Sequence, residues 1–304
     1  MPAINWGAPA RPRSNGQFVT LLAVLLALLL APAAGLARDA HRTWERAAWN
    51  LRTWYAARSL PGPGREAGHF RVWLLGADAG EMTADPVTPP AALAGVDAAG
   101  RKAGEEMPWQ LVEQLEAAYS RLTGDLGVEP PGPVLLALYR DRCGLDRRAG
   151  GSAGTTTGVY AAGVIHLLWQ EDLRGPLIHE MTHYLLDLVA PGRVPRWFQE
   201  GLAQLEEYRL TGTVLYDPAL VPRVPWVRLD REFDRLPDEV AYGASLSLVL
   251  FLYHEGGDGA LRQMVGALSR GVPFERAVRL CWGRSLAELD ARRLGEAVPP
   301  VGVK

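Results

Sequence analysis

Apolar residues recur at intervals of three and four in several stretches of the chain, a spacing that predicts amphipathic helices. The predicted helices cover Pro108–Leu126, the run from Pro176 to Leu188, Arg196–Tyr208, Asp238–His254, Leu261–Leu268, Phe274–Cys281 and Leu286–Leu294. Pro191 and Gly192 end the second of these, and Gly256 and Gly257 end the fourth, because such residues favour helix termini. An S-x-x-E capping box precedes the last helix.

Shorter runs rich in branched and aromatic residues predict strands. They are His69–Leu75, Val134–Tyr139 and a hairpin made of Thr155–Tyr160 and Val164–Trp169. Gly76–Gly104 and Arg140–Gly154 are expected to be loops, and Thr211–Leu236 a connection interrupted by prolines. A few strands followed by a long helical half predict an α+β fold with a small sheet.

The strongest chemical signal is the sequence His179-Glu180-Met181-Thr182-His183 on the second predicted helix. Residues four apart share a helix face, so His179 and His183 can offer both imidazoles to one ion. Zinc in hydrolases takes three protein ligands and keeps a fourth position for water. Glu200, seventeen positions after His183 on the next helix, can supply the third ligand if the short loop folds that helix back. Glu180 can then act as general base on the water.

Two plainer explanations compete with the catalytic metal site. The histidines could be ordinary helix residues and Glu200 a surface carboxylate, but two histidines four apart, with a glutamate between them and an acidic helix following, argue against this. A purely structural zinc site is usually closed by cysteines, whereas Cys143 and Cys281 are not in metal-ligand spacing. The catalytic interpretation is therefore favoured.

The segments HEMTH (179–183) and PRWFQEGLAQ (195–204) resemble the gluzincin metallopeptidases, most closely the bacterial peptidase MA-like domain. The metzincin pattern HExxHxxGxxH is absent, because Leu186 and Val189 occupy the positions of its glycine and last histidine. The resemblance implies a zincin-like fold in which His179, His183 and Glu200 bind zinc and Glu180 is the catalytic base. It extends from about residue 69 to the C-terminal helices, although only the two motifs are specific.

The resemblance also implies an edge strand beside the HExxH helix that binds extended substrate through its backbone. The strand leading into that helix supplies the candidates, which are Val164, Ile165, His166 and Leu167. The two-residue alternation of the strand includes His166, so we expect it to line the substrate cleft or the surface and not to bind metal.

An oxyanion formed during hydrolysis needs a donor besides the metal, and in gluzincins this is often a tyrosine or histidine from a later helix. Tyr242 is the candidate, because it opens the helix after the proline-rich connection. A plain core position for Tyr242 is the alternative, and Tyr160 and Tyr208 are competing donors.

Metal-bound histidines usually donate their second nitrogen to a carboxylate or carbonyl. Asp187 and Gln204 are candidates for such outer positions, because each follows a predicted ligand by four residues. Glu206 and Glu207 are expected on the solvated face of their helix.

The N-terminal 37 residues have the pattern of a secretory leader. Arg11 and Arg13 precede an apolar run, Phe18–Ala34, and small residues follow up to Ala37. The segment is either a signal peptide cut after Ala37 or an uncleaved anchor, since 18–37 is about long enough to span a bilayer. Both alternatives place the rest of the chain outside the cytoplasmic membrane.

The remaining chain divides by composition. Residues 38–65 predict a tryptophan- and arginine-bearing helix, which lies either at the lipid interface or against the catalytic domain, followed by the Pro/Gly linker Ser59–Gly64. The resemblance assigns residues 66–296 to a peptidase MA-like domain, and 297–304 is expected to be a flexible tail. The two cysteines can pair in an oxidising compartment or remain free.

Charge and composition narrow the function further. The formal net charge of −2 and the lack of a basic run argue against nucleic-acid binding. We therefore expect a zinc-dependent peptidase whose partners are a peptide or protein substrate and, if the leader is uncleaved, the membrane; the oligomeric state stays open. The alternatives are a membrane-tethered binding or scaffold protein with little turnover, and a zinc hydrolase of non-peptide amides.

Overall fold

The computed structural model describes residues 51, 54–58, 60, 64–75, 109–149 and 157–295. In that part of the chain a small five-stranded sheet precedes a mostly helical C-terminal half, so the predicted mixed architecture is confirmed. The described residues fall within one compact unit. None of their helices is both long enough and apolar enough to cross a bilayer.

Several predicted segments lie outside the described residues. They are the leader (1–37), most of the 38–65 segment, the 76–104 loop and the C-terminal tail. Residues 54–58 belong to the tryptophan- and arginine-bearing helix predicted within 38–65, and they are helical. The two cysteines, Cys143 and Cys281, are both free thiols.

The sheet consists of β1 (Arg65–Ala67), β2 (Phe70–Leu75), β3 (Val134–Tyr139), β4 (Gly158–Ala161) and β5 (Val164–Leu168). Their spatial order is β1-β2-β3-β5-β4. The three central strands are parallel, and each outer strand is antiparallel to its neighbour. β3 is buried at every position, as expected for a continuous apolar run that is covered on both faces.

β4 and β5 form the predicted hairpin. Ala162 and Gly163 join them with φ values of 50° and 87°, a two-residue turn whose twist suits a hairpin. The outer strand is β4, whereas β5 lies between β3 and β4, so the prediction of a free edge on β5 is wrong for Val164, Ile165, His166 and Leu167. A hairpin shows that two strands pair with each other, but it does not show which of the two lies at the edge of the sheet. Here β5 pairs with β3 in parallel, so β4 is left at the edge.

The two faces of the sheet contact different layers. Ile165 and Leu167 belong to the main core under the helices, whereas Val164 lies in a smaller cluster on the opposite face. By alternation His166 points to that opposite face, where it is 7% exposed and its Nδ1 lies 2.9 Å from the Tyr139 hydroxyl oxygen. The expectation that His166 lines the cleft or the surface is therefore wrong.

The helices after the second strand are α1 (Trp109–Leu126), α2 (Arg142–Ala149), α3 (Arg174–Val189), α4 (Arg196–Thr211), α5 (Trp226–Glu232), α6 (Asp238–Ser269), α7 (Phe274–Trp282) and α8 (Leu286–Gly295). α6 is interrupted at Gly257, whose φ of 63° and ψ of −167° separate the two predicted helical runs. The predicted capping box forms at α8, where the Glu288 carboxylate accepts the Ser285 N–H at 2.7 Å.

α2 and α5 occupy stretches that were expected to lack helix. α2 is mostly polar, and Leu145 is its buried contact with the sheet. The Asp141 carboxylate accepts the Gly144 N–H at 2.7 Å and so stabilises the first turn of α2. α5 likewise buries Leu229 alone, and a helix with a single buried side chain shows too little periodicity to be predicted.

α3 and α4 form the predicted helix–loop–helix unit around the HExxH motif. Pro176 lies in the first turn of α3, and Pro195 is the N-cap of α4. Gly192, in the loop, has a φ of 65°, and Gly212 ends α4 in the left-handed region at φ 72°. The loop turns α4 back along α3, which brings the two motifs together.

A partly buried charge cluster joins α1, α4 and α6. Arg209 reaches Glu206 at 3.0 Å, Asp258 at 2.8 Å and Asp125 at 3.5 Å. Glu206 is only 1% exposed, so its predicted place on a solvated face is wrong. Burial raises the pKa of Glu206 to about 7; the charge of Arg209 opposes this rise and that of Asp125 adds to it.

Gly201→Ala should destabilise the fold, because a Cβ at this position would lie 2.5 Å from the Ser245 carbonyl oxygen of α6. Overpacking of this kind costs about 1–3 kcal/mol in the free energy of unfolding. Urea titration of the metal-free proteins, with a chelator present, measures this loss of stability. Gly124→Ala is the control, since an added Cβ there meets nothing within 4 Å. Equal stability of the two variants would show that α4 and α6 do not approach closely at Gly201.

Glu206→Gln should remove part of the pH dependence of stability. Between pH 4.5 and about 7 the folded protein binds more protons at Glu206 than the unfolded chain, so this residue makes stability fall as pH rises. Between pH 4.5 and 8 the wild type should lose about 3 kcal/mol more than the variant, an upper estimate from the size of the shift. Urea titrations at both pH values measure this; parallel losses would contradict it.

Candidate metal centre

Three predicted ligand side chains converge between α3 and α4. His179 and His183 project from one face of α3, and Glu200 projects from the first half of α4. The Nε2 atoms of His179 and His183 each lie 3.5 Å from Oε2 of Glu200. The ligand atoms of all three residues lie within 4.8 Å of one another. The structure therefore brings together the three residues that the spacing predicted.

The distances fit a single small cation. Bonds of about 2.1 Å in a tetrahedral arrangement separate ligand atoms by about 3.4 Å, close to the two nitrogen–oxygen distances observed. The side chains of His179 and His183 remain 18% and 13% exposed, so neither imidazole is completely covered. The group His179, His183 and Glu200 could hold a metal ion.

Glu207 contacts the ring of His179, the first histidine of the motif. Its Oε2 lies 3.0 Å from Nδ1 of His179, so the ring is held with Nε2 directed to Glu200. An added Cβ on Gly175 would lie 3.1 Å from Glu207 Oε1, which shows how closely the start of α3 approaches this carboxylate. Glu207 was expected on a solvated face; its side chain keeps 32% exposure, but its carboxylate also contacts His179. Glu207 follows Glu200 by seven residues, which is two turns along the same helix face, and this spacing could have predicted that it lies near the histidines.

Carboxylates determine the electrostatics of the centre. Burial alone would lower the pKa of His179, but hydrogen bonds with Glu200 and Glu207 and the charge of Glu180 raise it to about 10. Burial likewise opposes ionisation of Glu200, yet the two histidines hold its pKa well below the usual range. Three carboxylates around two imidazoles make a site suited to a cation.

Glu180 lies between α3 and the edge strand β4. It is 9% exposed, and its Oε2 accepts the backbone N–H of Tyr160 at 2.7 Å. A Cβ on Gly158 would lie 3.0 Å from Glu180 Cγ and 2.5 Å from Leu167 Cδ2, so glycine allows β4 to approach the carboxylate. Burial raises the pKa of Glu180, and the charges of His179 and His183 oppose the rise. The predicted base is thus held beside the ligands by the backbone of β4.

Asp187 and Gln204, the residues predicted to support the metal ligands from the outside, form hydrogen bonds to other groups. The Tyr160 hydroxyl donates to Asp187 Oδ2 at 2.6 Å, which links β4 to α3. Gln204 donates from Nε2 to the carbonyl oxygens of Glu200, at 3.1 Å, and of Tyr242, at 3.0 Å. Gln204 therefore fixes the register of α4 against α6 through backbone groups, and its described bonds do not involve the Glu200 carboxylate.

Tyr242 lies at the start of α6 and near the metal ligands. Its ring packs edge-on against Phe233, with centroids 5.5 Å apart, and lies 6.2 Å from the ring of Tyr216. Burial, followed by the charge of Glu200, raises the pKa of Tyr242 to about 12, so the hydroxyl keeps its proton at neutral pH. Of the competing tyrosines, Tyr160 already donates its hydroxyl to Asp187.

Arg196, which sequence reasoning did not select, adds a positive charge beside the centre. Its Nε lies 3.7 Å from Oε1 of Glu200, the carboxylate oxygen that does not face the histidines. The guanidinium lies 4.7 Å from the ring centroid of Phe233 and forms an ion pair with Asp234. Arg196 and Glu200 are four residues apart on α4, and this spacing could have predicted that the two side chains are neighbours.

A scan against protein-family models finds no match to this chain, and a search of curated proteins finds no significantly similar sequence.

Replacing Glu207 should weaken metal binding without removing it. Glu207→Gln keeps an acceptor near His179 Nδ1 but loses the charge, and losses at such outer positions are typically 10–100-fold in affinity. Competition against a chromophoric chelator measures the zinc dissociation constant of each variant. Glu200→Ala, which removes a proposed ligand, is expected to abolish measurable zinc binding in the same assay. The control is Glu232→Gln, which removes a surface carboxylate paired with Arg228. Wild-type affinity in Glu207→Gln would contradict the role assigned to Glu207.

Proposed function

We propose that this chain is a zinc-dependent metallopeptidase. The observation that carries the proposal is the position of Glu180, which lies beside the His179/His183/Glu200 group and is held by the backbone N–H of Tyr160. A ligand group alone is compatible with metal storage or a structural role. A buried carboxylate next to an accessible ligand position is the arrangement that hydrolysis requires.

The donor set favours zinc among the common divalent ions. Two imidazole nitrogens and one carboxylate oxygen are the ligand set of several catalytic zinc sites, which leave the fourth position for water. Magnesium and calcium prefer oxygen ligands in larger number. The nitrogen–oxygen distances of 3.5 Å fit tetrahedral coordination. The HEMTH and WFQEG motifs, which resemble those of gluzincins, support the same assignment.

The chemistry follows from the placement of the side chains. When bound, zinc acidifies a water molecule and polarises the carbonyl of the scissile bond. Glu180 removes a proton from the attacking water as the new carbon–oxygen bond forms. The same carboxyl then gives the proton to the amide nitrogen, so the carbon–nitrogen bond breaks and a free amine leaves. Burial raises the pKa of Glu180, which makes its carboxylate a stronger base for the proton of the attacking water.

β4 is the strand proposed to bind extended substrate, in place of β5. The Leu168 N–H donates to the Thr157 carbonyl at 2.8 Å, and bonded pairs alternate along an antiparallel ladder. The backbone groups of Gly158 and Tyr160 therefore point away from β5, on the side where Glu180 accepts the Tyr160 N–H. A peptide that adds to this edge as a further strand would pass next to the base.

Tyr242 is proposed as the donor to the oxyanion. It is close enough to Glu200 for the carboxylate charge to raise the pKa of its hydroxyl, and its backbone is tied to that of Glu200 through Gln204. The substrate is proposed to be a peptide or protein outside the cytoplasmic membrane, because of the leader pattern in 1–37.

Glu180→Gln should retain zinc and lose hydrolysis. The amide cannot accept the water proton, so turnover of unfolded casein should fall about 100- to 10,000-fold, the usual contribution of a general base. Fluorescent casein hydrolysis and zinc content by mass spectrometry are measured on the same preparations. Glu275→Gln, at an exposed position on α7, is the matched control.

Unchanged hydrolysis in zinc-loaded Glu180→Gln would overturn the peptidase proposal. Wild-type protein that binds zinc but cleaves no protein substrate would favour the membrane-tethered binding protein instead. A zinc-dependent activity confined to non-peptide amides in a substrate panel would keep the mechanism and change the substrate class.

A further inference from the structure

Three exposed apolar side chains lie close together on the helical segment that precedes the sheet. They are Leu51, Trp54 and Tyr55, which are 40%, 43% and 70% exposed. The spacing from Leu51 to the two aromatic residues is that of one helix face, and the rings of Trp54 and Tyr55 lie 6.2 Å apart. The guanidinium carbon of Arg58 lies 4.0 Å from the centroid of the Trp54 ring. We call these four residues the Trp54 patch.

The opposite side of the same segment packs on the sheet. Ala56 and Leu60 are each 6% exposed and belong to the smaller apolar cluster, which also includes Val164 of β5. A Cβ added to Gly163, in the turn between β4 and β5, would lie 3.8 Å from the Cβ of Ala56. The segment is therefore held against the domain by one side and presents the Trp54 patch on the other.

The chemistry of the patch fits a lipid surface. Trp and Tyr concentrate at the level of the lipid head groups, because each combines an apolar ring with a polar atom. An arginine beside them can cover apolar surface with its aliphatic part while its charge stays among the head groups. Single exposed apolar side chains are common on soluble proteins, whereas a contiguous cluster marks an interaction surface.

The charge of the surrounding sequence favours an anionic lipid surface. Residues 38–58 contain five arginines and two acidic residues, whereas the whole chain has a formal net charge of −2. Arg58, which belongs to the patch, is exposed. Basic side chains close to an anionic membrane add an electrostatic attraction to the burial of apolar surface. The segment therefore complements a membrane that contains acidic lipids.

The order of the segments along the chain brings the patch to a membrane. The apolar run Phe18–Ala34 has the pattern of a signal peptide or an anchor, and 16 residues separate it from Leu51. Even when fully extended, the chain from Ala34 to Leu51 spans at most about 60 Å. In a chain that keeps the apolar run in a bilayer, the patch is present at high effective concentration near lipid, so a weak contact is sufficient.

We propose that the Trp54 patch is a peripheral membrane-binding surface, which inserts Trp54 and Tyr55 among the head groups of an anionic bilayer. α3, which carries both histidines of the metal centre, packs on the opposite face of the sheet. Lipid contact at the patch is thus separated from the metal ligands by the sheet. The proposal does not rest on the peptidase function, because the patch and the surrounding charge carry it.

Fluorescence quenching by brominated lipid tests this contact in the full chain. The chain with its leader is reconstituted into vesicles of phosphatidylcholine and phosphatidylglycerol at about 7 to 3, which supply a negative surface. One environment-sensitive fluorophore is attached at Leu51→Cys, after the two free thiols are removed by Cys143→Ser and Cys281→Ser. The matched control carries the fluorophore at Trp109→Cys, since Trp109 is 68% exposed and its helix, α1, packs on the other face of the sheet.

The fluorophore at position 51 should lose about half of its emission in brominated lipid, because an interfacial helix lies about 5–10 Å into the head-group boundary. The fluorophore at position 109 should keep its emission. Trp54→Ser combined with Tyr55→Ser should reduce the quenching at position 51 about fivefold, since the buried apolar area is lost. Salt at about 1 M should weaken it too, because the Debye length falls to about 3 Å.

Equal quenching at positions 51 and 109, or quenching at neither, would overturn the proposal. So would quenching at position 51 that persists after Trp54→Ser and Tyr55→Ser, because the leader alone would then hold the fluorophore near lipid. Emission that depends on protein density but not on brominated lipid would assign the patch to a second copy of the chain and contradict the lipid contact. Both substituted side chains are exposed, and circular dichroism checks that each variant is folded.

Discussion

The candidate site depends on the meeting of two imidazoles and one carboxylate between helices α3 and α4. The helix face that carries His179 and His183 is determined by the four-residue spacing, but the third ligand arrives only because the loop turns α4 back along α3. Close packing on both sides then fixes the register. Gly175 allows Glu207 to reach His179, and Gly201 allows α6 to pack against α4 directly after the ligand Glu200.

The same packing connects the centre to the sheet and to the later helices. The edge strand β4 holds Glu180 through the Tyr160 N–H, and Gln204 ties the backbone of Glu200 to that of Tyr242. Glu180 and Tyr242 therefore lie on elements that pack directly against α3 and α4. Under the proposed function, this packing would hold the base and the oxyanion donor in place before substrate binds.

The sequence predicted the parts of this arrangement that depend on local periodicity. The positions of His179, Glu180 and His183 on one helix, the helix–loop–helix unit, the hairpin and the break at Gly257 all follow from spacing and from proline or glycine at termini. The strand order did not follow, because the parallel pairing that places β5 inside the sheet joins distant segments. Glu206 and His166 were misplaced for the same reason, since the residues next to them in sequence do not show which distant element will cover them. Polar residues in amphipathic helices are expected to face water, and burial by a distant helix overrides that expectation.

The most direct test of the central claim is X-ray absorption at the zinc edge of the purified, zinc-loaded protein, together with metal content. The proposed zinc site predicts one zinc per chain, surrounded by about four nitrogen or oxygen atoms near 2.0–2.1 Å, with an imidazole scattering pattern from two histidines and no sulfur. A sulfur shell near 2.3 Å, or a spectrum unchanged in His183→Ala, would show that the metal is held elsewhere and that α3 and α4 do not form its site.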